Sequence, residues 1–109
     1  LKVADAEVKI KELNDKLARK EFEAARIYDK MEYYSAAFKY YDNVMEVYHD
    51  TQYAPLALYN KINLLIDRDK VSEALVESQK FIQKYPNHKN FNDVKDIKDR
   101  IESKLSVKP

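Results

Sequence analysis

With 109 residues, 20 Lys and Arg against 19 Asp and Glu, and a formal net charge of +1, the chain is about one domain long with a thin core. Its charges are interleaved, so no basic stripe exists to follow phosphates and a nucleic-acid partner is not expected. No apolar run approaches the roughly 18 residues that span a bilayer, Leu1 to Asp5 lack the apolar core of a signal peptide, and the absence of Cys excludes a disulfide framework.

The rest of the composition selects helices. There is no Gly, Pro occurs only at Pro55, Pro86 and Pro109, and 36% of residues are charged, which suits an all-α chain with short polar turns. A long first helix is expected over 3–31, with Ile10, Leu13, Leu17, Ala24 and Tyr28 returning at helical steps as its apolar stripe. The second, over 34–48, opens near Ser35 and carries a broad stripe of Ala37, Phe38, Tyr41, Val44, Met45 and Tyr48. Asp50 and Thr51 offer N-cap oxygens to a third helix over 52–67, where Pro55 is tolerated because it falls in the first turn. After the turn at Asp67-Arg68-Asp69, Ser72 and Glu73 start a fourth helix over 71–85, striped by Ala74, Leu75, Ser78, Phe81, Ile82 and Tyr85 and stopped by Pro86. A fifth, over 92–105, sets Val94, Ile97, Ile101 and Leu105 on one face and charged residues on the other, the pattern of a terminal cap.

The segment from Tyr33 to Asp50 nearly repeats itself 37 residues later, from Lys70 to Asn87. A two-helix unit of this length cannot bury its apolar face alone and has to stack on a neighbour. These residues resemble the tetratricopeptide repeat family. The small residue of its helix A falls on Ala25 and Ile62, with the next bulky residue on Tyr28 and Leu65. The small residue of helix B falls on Ala37 and Ala74, followed by Tyr41 and Ser78, and the terminal Pro position falls on His49 and Pro86. Tyr34 completes the signature at the start of the first helix B. Small Ala residues let the two helices approach closely, and bulky ones fill the space between hairpins. The sequence departs from the family in having no Gly at the positions that often carry one, and in Ser78, a poor core filler. The resemblance implies antiparallel helical hairpins stacked as a right-handed solenoid, closed by a C-terminal capping helix, in one domain over 1–109.

A narrower resemblance covers roughly residues 10–90. The run Leu17-Ala18-Arg19-Lys20-Glu21-Phe22, then Ala25, Tyr28, Tyr34, Ala36-Ala37, Val44 and Tyr48, and the linker Asp50-Thr51-Gln52-Tyr53-Ala54 with Ala57-Leu58, are similar to the C-terminal repeats of BamD-type outer-membrane assembly lipoproteins. His49 stands where that family usually has Pro. The resemblance implies a non-catalytic scaffold on the periplasmic side of a bacterial outer membrane, touching the membrane only through a lipid anchor outside this fragment. Its implied partners are the periplasmic domains of the barrel-inserting outer-membrane protein and nascent outer-membrane proteins. The opening on Leu1 rather than Met is read as the mark of a fragment or a processed product.

Tetratricopeptide repeats take ligands mainly on the concave side of helix A. That implies Arg19, Phe22, Glu23, Arg26, Asp29 and Lys30 in the first repeat, and Leu56, Tyr59, Asn60, Asn63 and Asp67 in the second. A peptide-binding co-chaperone adaptor that grips a terminal carboxylate is the alternative. Asn60 and Asn63 are compatible with it, but Glu23 and Asp29 would repel the carboxylate. A third reading is an oligomerising fragment that pairs through the stripe of the first helix.

Catalysis is not expected, nor is a metal or cofactor. Asp67 with Asp69, and Asp93 with Asp96, lie in turns or on a charged helix back, where carboxylates stay solvated. His49 and His88 have no partners at metal-ligand spacing, and a chain without Gly builds neither a phosphate-cradling loop nor a nucleophile elbow. Of the nine Tyr, Tyr28, Tyr34, Tyr41, Tyr48 and Tyr85 fall at packing positions, while Tyr33, Tyr40, Tyr53 and Tyr59 are less constrained.

Overall fold

The computed structural model describes residues 2–106; Leu1 and residues 107–109, Pro109 among them, lie outside the described residues, as do the side chains of Lys2 and Ser106. Among the described residues five helices follow one another, α1 (Lys2–Lys30), α2 (Tyr34–Val47), α3 (Tyr53–Asp67), α4 (Val71–Lys84) and α5 (Phe91–Ser106). There is no strand among the described residues. Stacked neighbouring helices make this an all-α architecture of tetratricopeptide type. The chain divides into two compact units, Leu1–Ala57 and Leu58–Pro109, with the division inside α3.

In the first unit α1 and α2 form an antiparallel hairpin. The start of α2 meets the end of α1, where the Tyr40 ring stacks on Tyr28 at 5.3 Å and the Tyr41 hydroxyl donates to Asp29 Oδ2 at 3.1 Å, while further along α2 Asn43 Nδ2 donates back to Glu21 Oε1 at 2.8 Å. Ala18, Ala25 and Ala37 are fully buried, with no side chain beyond Cβ to hold the helices apart. The remaining volume is filled by Phe22, Tyr41 and Val44, with Phe22 tilted against Tyr41 at 6.2 Å and Tyr53 at 5.8 Å. The packed face of α1 is therefore Ala18, Phe22 and Ala25. Ile10, Leu13 and Leu17, the leading part of the stripe read from the sequence, are exposed.

The turns show how a chain without Gly builds this repeat. Glu32 and Asp69, 37 positions apart, both take a left-handed backbone, with φ of 64° and 61°. Each closes its helix identically: Tyr33 N–H donates to Tyr28 O at 2.9 Å and Lys70 N–H to Leu65 O at 2.8 Å. Ser35 and Ser72 lie inside the first turns of α2 and α4, and the N-cap residues are Tyr33 and Lys70, without a side-chain cap. Thr51 likewise does not cap with its hydroxyl, which donates to Tyr48 O at 2.8 Å. A left-handed non-Gly residue costs about 1–2 kcal/mol, less for Asp than for Glu. Glu32→Gly is therefore expected to stabilise the protein by about 0.5–1 kcal/mol, net of Gly's entropy and the exposed Tyr34 to Glu32 hydrogen bond. Asp69→Gly should gain less, and urea denaturation of both variants checks the order.

The echo runs further along the backbone than the side chains suggest. Thr51 N–H donates to Tyr48 O and Ala54 N–H to Thr51 O; 37 residues on, His88 N–H donates to Tyr85 O and Phe91 N–H to His88 O. Buried Ala57 and Leu64 of α3 correspond to buried Val94 and Ile101 of α5. The capping helix thus stands in the frame of a further helix A. Its outer face carries i, i+4 ion pairs, Lys95 with Asp99 at 3.6 Å, Arg100 with Asp96 at 2.6 Å and Lys98 with Glu102 at 3.0 Å. Such solvated pairs add little to stability.

In the second unit α4 packs on α5, burying Ala74, Ser78 and Phe81 beside Val94 and Ile101. Ser78 fills its core position without leaving an orphan, because its hydroxyl donates to Ala74 O at 2.7 Å. Lys61 of α3 reaches Glu77 of α4 at 3.5 Å with both side chains largely covered, and Lys80 joins Glu77 at 3.3 Å. The His88 and Phe81 rings are nearly perpendicular, at 87° with centroids 5.5 Å apart, and His88 Nδ1 accepts the Asn90 N–H at 3.0 Å. Burial, and then the charge of Lys89, hold the imidazole below its ordinary value of 6.5. The unfolded chain therefore takes up this proton first, so stability falls as pH drops through about 6.5 and the loss is complete below the folded value. His88→Asn is expected to flatten the thermal-midpoint profile between about pH 7 and 5.

Candidate protein-binding faces

The residues singled out for partner contact fall into two sets, one on α1 in the first unit and one on α3, of which Leu56 belongs to the first unit and the others to the second. On α1, Arg19, Glu23, Arg26 and Lys30 are spaced by three and four residues and so share one side of the helix. Arg19 and Arg26 are exposed. Arg26 Nη1 meets Glu23 Oε1 at 3.0 Å with both side chains 45% exposed, a pair too solvated to hold either group firmly. Phe22, read as part of this set, is 7% exposed and spent on Tyr41 and Tyr53. It anchors the face rather than offering itself to a partner. Asp29 is engaged by the Tyr41 hydroxyl.

On α3 the spacing of Leu56, Tyr59, Asn60, Asn63 and Asp67 puts them on a common side. Within the second unit, Tyr59 Oη donates to Asp93 Oδ2 at 3.4 Å and Asn63 Nδ2 donates to Tyr59 O at 3.3 Å. Tyr59, Asn60 and Asn63 are half-buried. The result is an amide-rich patch with a half-covered aromatic ring and carboxylates at its border. Asp93 belongs to it through the long-range bond to Tyr59, which no local pattern in the sequence announces.

Sequence reasoning missed two grooves of the first unit. One, of about 660 Å³, is lined by Glu21, Ala36, Lys39, Tyr40, Asp42, Asn43 and Glu46. The other, of about 290 Å³, runs from Glu7, Ile10, Lys11, Asn14 and Asp15 of α1 to Asp50 and Thr51. Both arise from where α1 lies against its neighbours, so the only trace in the sequence is the helical spacing of their α1 or α2 residues. Among the described residues no group of three His, Cys, Asp or Glu is placed to hold a metal ion. Among the same residues no buried side-chain nitrogen or oxygen lacks a hydrogen-bond partner. No helix among them is long and apolar enough to cross a membrane.

Stacked helical hairpins of this kind define a helical-repeat protein. The sequence model of the YfiO outer membrane lipoproteins matches residues 3–67, more than half of the chain. The chain belongs to that family and is a BamD/YfiO-like tetratricopeptide repeat protein. No curated protein matches the chain significantly.

Proposed function

We propose that this protein is a non-catalytic scaffold of the machinery that assembles β-barrel proteins in a bacterial outer membrane. It works on the periplasmic side, held to the membrane by a lipid anchor outside these residues. The observation that carries the reading is the match of residues 3–67 to an outer membrane lipoprotein family. The faces are suited to the role: Arg19 and Arg26 are held by no rigid pair, and Tyr59 is a half-covered aromatic of the type that anchors interfaces. The partners are the periplasmic domains of the barrel-inserting membrane protein and nascent outer-membrane proteins.

Titration calorimetry of this protein against those periplasmic domains tests the proposal. Arg19→Ala with Arg26→Ala is expected to weaken binding about tenfold, with a reduced salt dependence, and Tyr59→Ala by a similar factor. Binding untouched by all three changes would move the interface to another surface. An absence of binding by the folded protein would overturn the assembly role itself.

A further inference from the structure

Residues 3–13 of α1 are all exposed. Val3, Ala6, Ile10, Leu13 and Leu17 recur there at alternating steps of three and four, the a and d positions of a heptad. Their exposure is large for such residues, 70% for Val3, 58% for Ile10, 55% for Leu13 and 39% for Leu17. At about 100° per residue this seam lies roughly 110° around the helix from Ala18, Phe22 and Ala25, the face that packs in the first unit. A partner on the seam would not compete with that packing.

The flanks say which partner fits. On one side of the seam stand Lys9 and Lys16, at g positions; on the other stand Glu7, Asn14 and Glu21, at e positions. A second copy laid parallel sets each g residue against the partner's e residue five positions on, so Lys16 meets a glutamate at 21 and Lys9 an amide at 14. An antiparallel copy would set lysines against lysines and glutamates against glutamates. Glu21 accepts Asn43 through Oε1, which leaves its other carboxylate oxygen for a lysine. The seam agrees with the flanks. β-Branched Val3 and Ile10 at a, with Leu13 at d, favour two parallel strands. We infer that the N-terminal half of α1 is a self-association surface, on which a second copy of this chain docks in parallel as a short two-stranded coiled coil. The inference does not depend on the assembly role.

The seam is shorter than the three or four heptads that sustain a coiled coil alone, so dimers are expected only from roughly 0.1 mM upward. Sedimentation equilibrium of the whole chain from about 0.02 to 1 mM reads this directly. Leu13→Lys should abolish the dimer while leaving the helical circular dichroism intact, because Leu13 is exposed, and Lys16→Glu should weaken association several-fold. The chain contains no Cys, so Ala6→Cys gives one defined thiol. Parallel copies place the two thiols within disulfide reach at d, and rapid oxidation to a covalent dimer is expected. A chain that stays monomeric to 1 mM overturns the inference. So does cross-linking of Val3→Cys with Leu13→Cys in place of Ala6→Cys with itself, since a facing d across the pair would mean antiparallel docking. A longer form of the protein that is monomeric yet protects this seam from hydrogen exchange gives the face to another segment and also overturns it.

Discussion

Replacing Tyr41 with Ala is expected to cost about 3–5 kcal/mol, a third or more of the stability of an ordinary domain. Tyr41 is 1% exposed, tilts against Phe22 at 6.2 Å and fixes Asp29 through its hydroxyl at 3.1 Å. Alanine removes the ring from a hairpin core that also holds the fully buried Ala18, Ala25 and Ala37, small residues with no side chain to fill the space. The cavity term therefore adds to the lost burial. Tyr41→Phe separates the contributions, since it keeps the ring and removes the hydroxyl from Asp29, which is half-buried and can hydrate; about 0.5–1.5 kcal/mol is expected. Urea denaturation followed by far-ultraviolet circular dichroism gives both numbers, and an unchanged m-value shows that native stability moved. A loss below about 1 kcal/mol for the alanine variant would mean that the hairpin packs otherwise than described. Ser78 holds the matching place one repeat later, yet Ser78→Ala should be mild, because its hydroxyl serves only its own helix at Ala74 O.

That pair of positions shows how far the sequence could be read. Helix periodicity, the Ala residues and the 37-residue echo carried the all-α class, because helices with one apolar face and no Gly leave few alternatives. The αL turns were harder. Glu32 and Asp69 are ordinary polar residues whose left-handed backbone is imposed by the Tyr33 to Tyr28 and Lys70 to Leu65 hydrogen bonds. Their side chains carry no sign of it. The stripe of α1 misled for a different reason: hydrophobicity marks Ile10, Leu13 and Leu17, while the packed face is chosen by size, through Ala18 and Ala25. The helix A residues offered as a binding face were legible as a set through their spacing. Which of them is free was not, since Phe22 is withdrawn by Tyr53, and Tyr59 is tied to Asp93, both of them contacts across more than 30 residues.

Phe81→Ala is expected to be the most damaging single change in the second unit, at about 3–5 kcal/mol. Phe81 is fully buried on α4 and presents ring edges and faces to Tyr85 at 5.3 Å and His88 at 5.5 Å. Its place in the repeat corresponds to Val44 of the first unit, a smaller side chain that is equally buried. Phe81→Val therefore asks whether the second unit tolerates the first unit's filler. It should not, because the aromatic contacts to residues 85 and 88 are absent around Val44, and a loss of about 1–3 kcal/mol is expected. The histidine supplies an independent readout. Burial is the leading cause of its depressed pKa, so removing the ring that covers it should bring the imidazole back toward 6.5 in an NMR titration, under conditions where the variant remains folded. The stability of Phe81→Val should then depend less on pH below about 6.5 than that of the parent, since a histidine that is protonated equally in the folded and unfolded chains contributes no slope. An unmoved imidazole together with a full stability loss would assign the depressed pKa to Lys89, leaving the packing of Phe81 to account for stability alone.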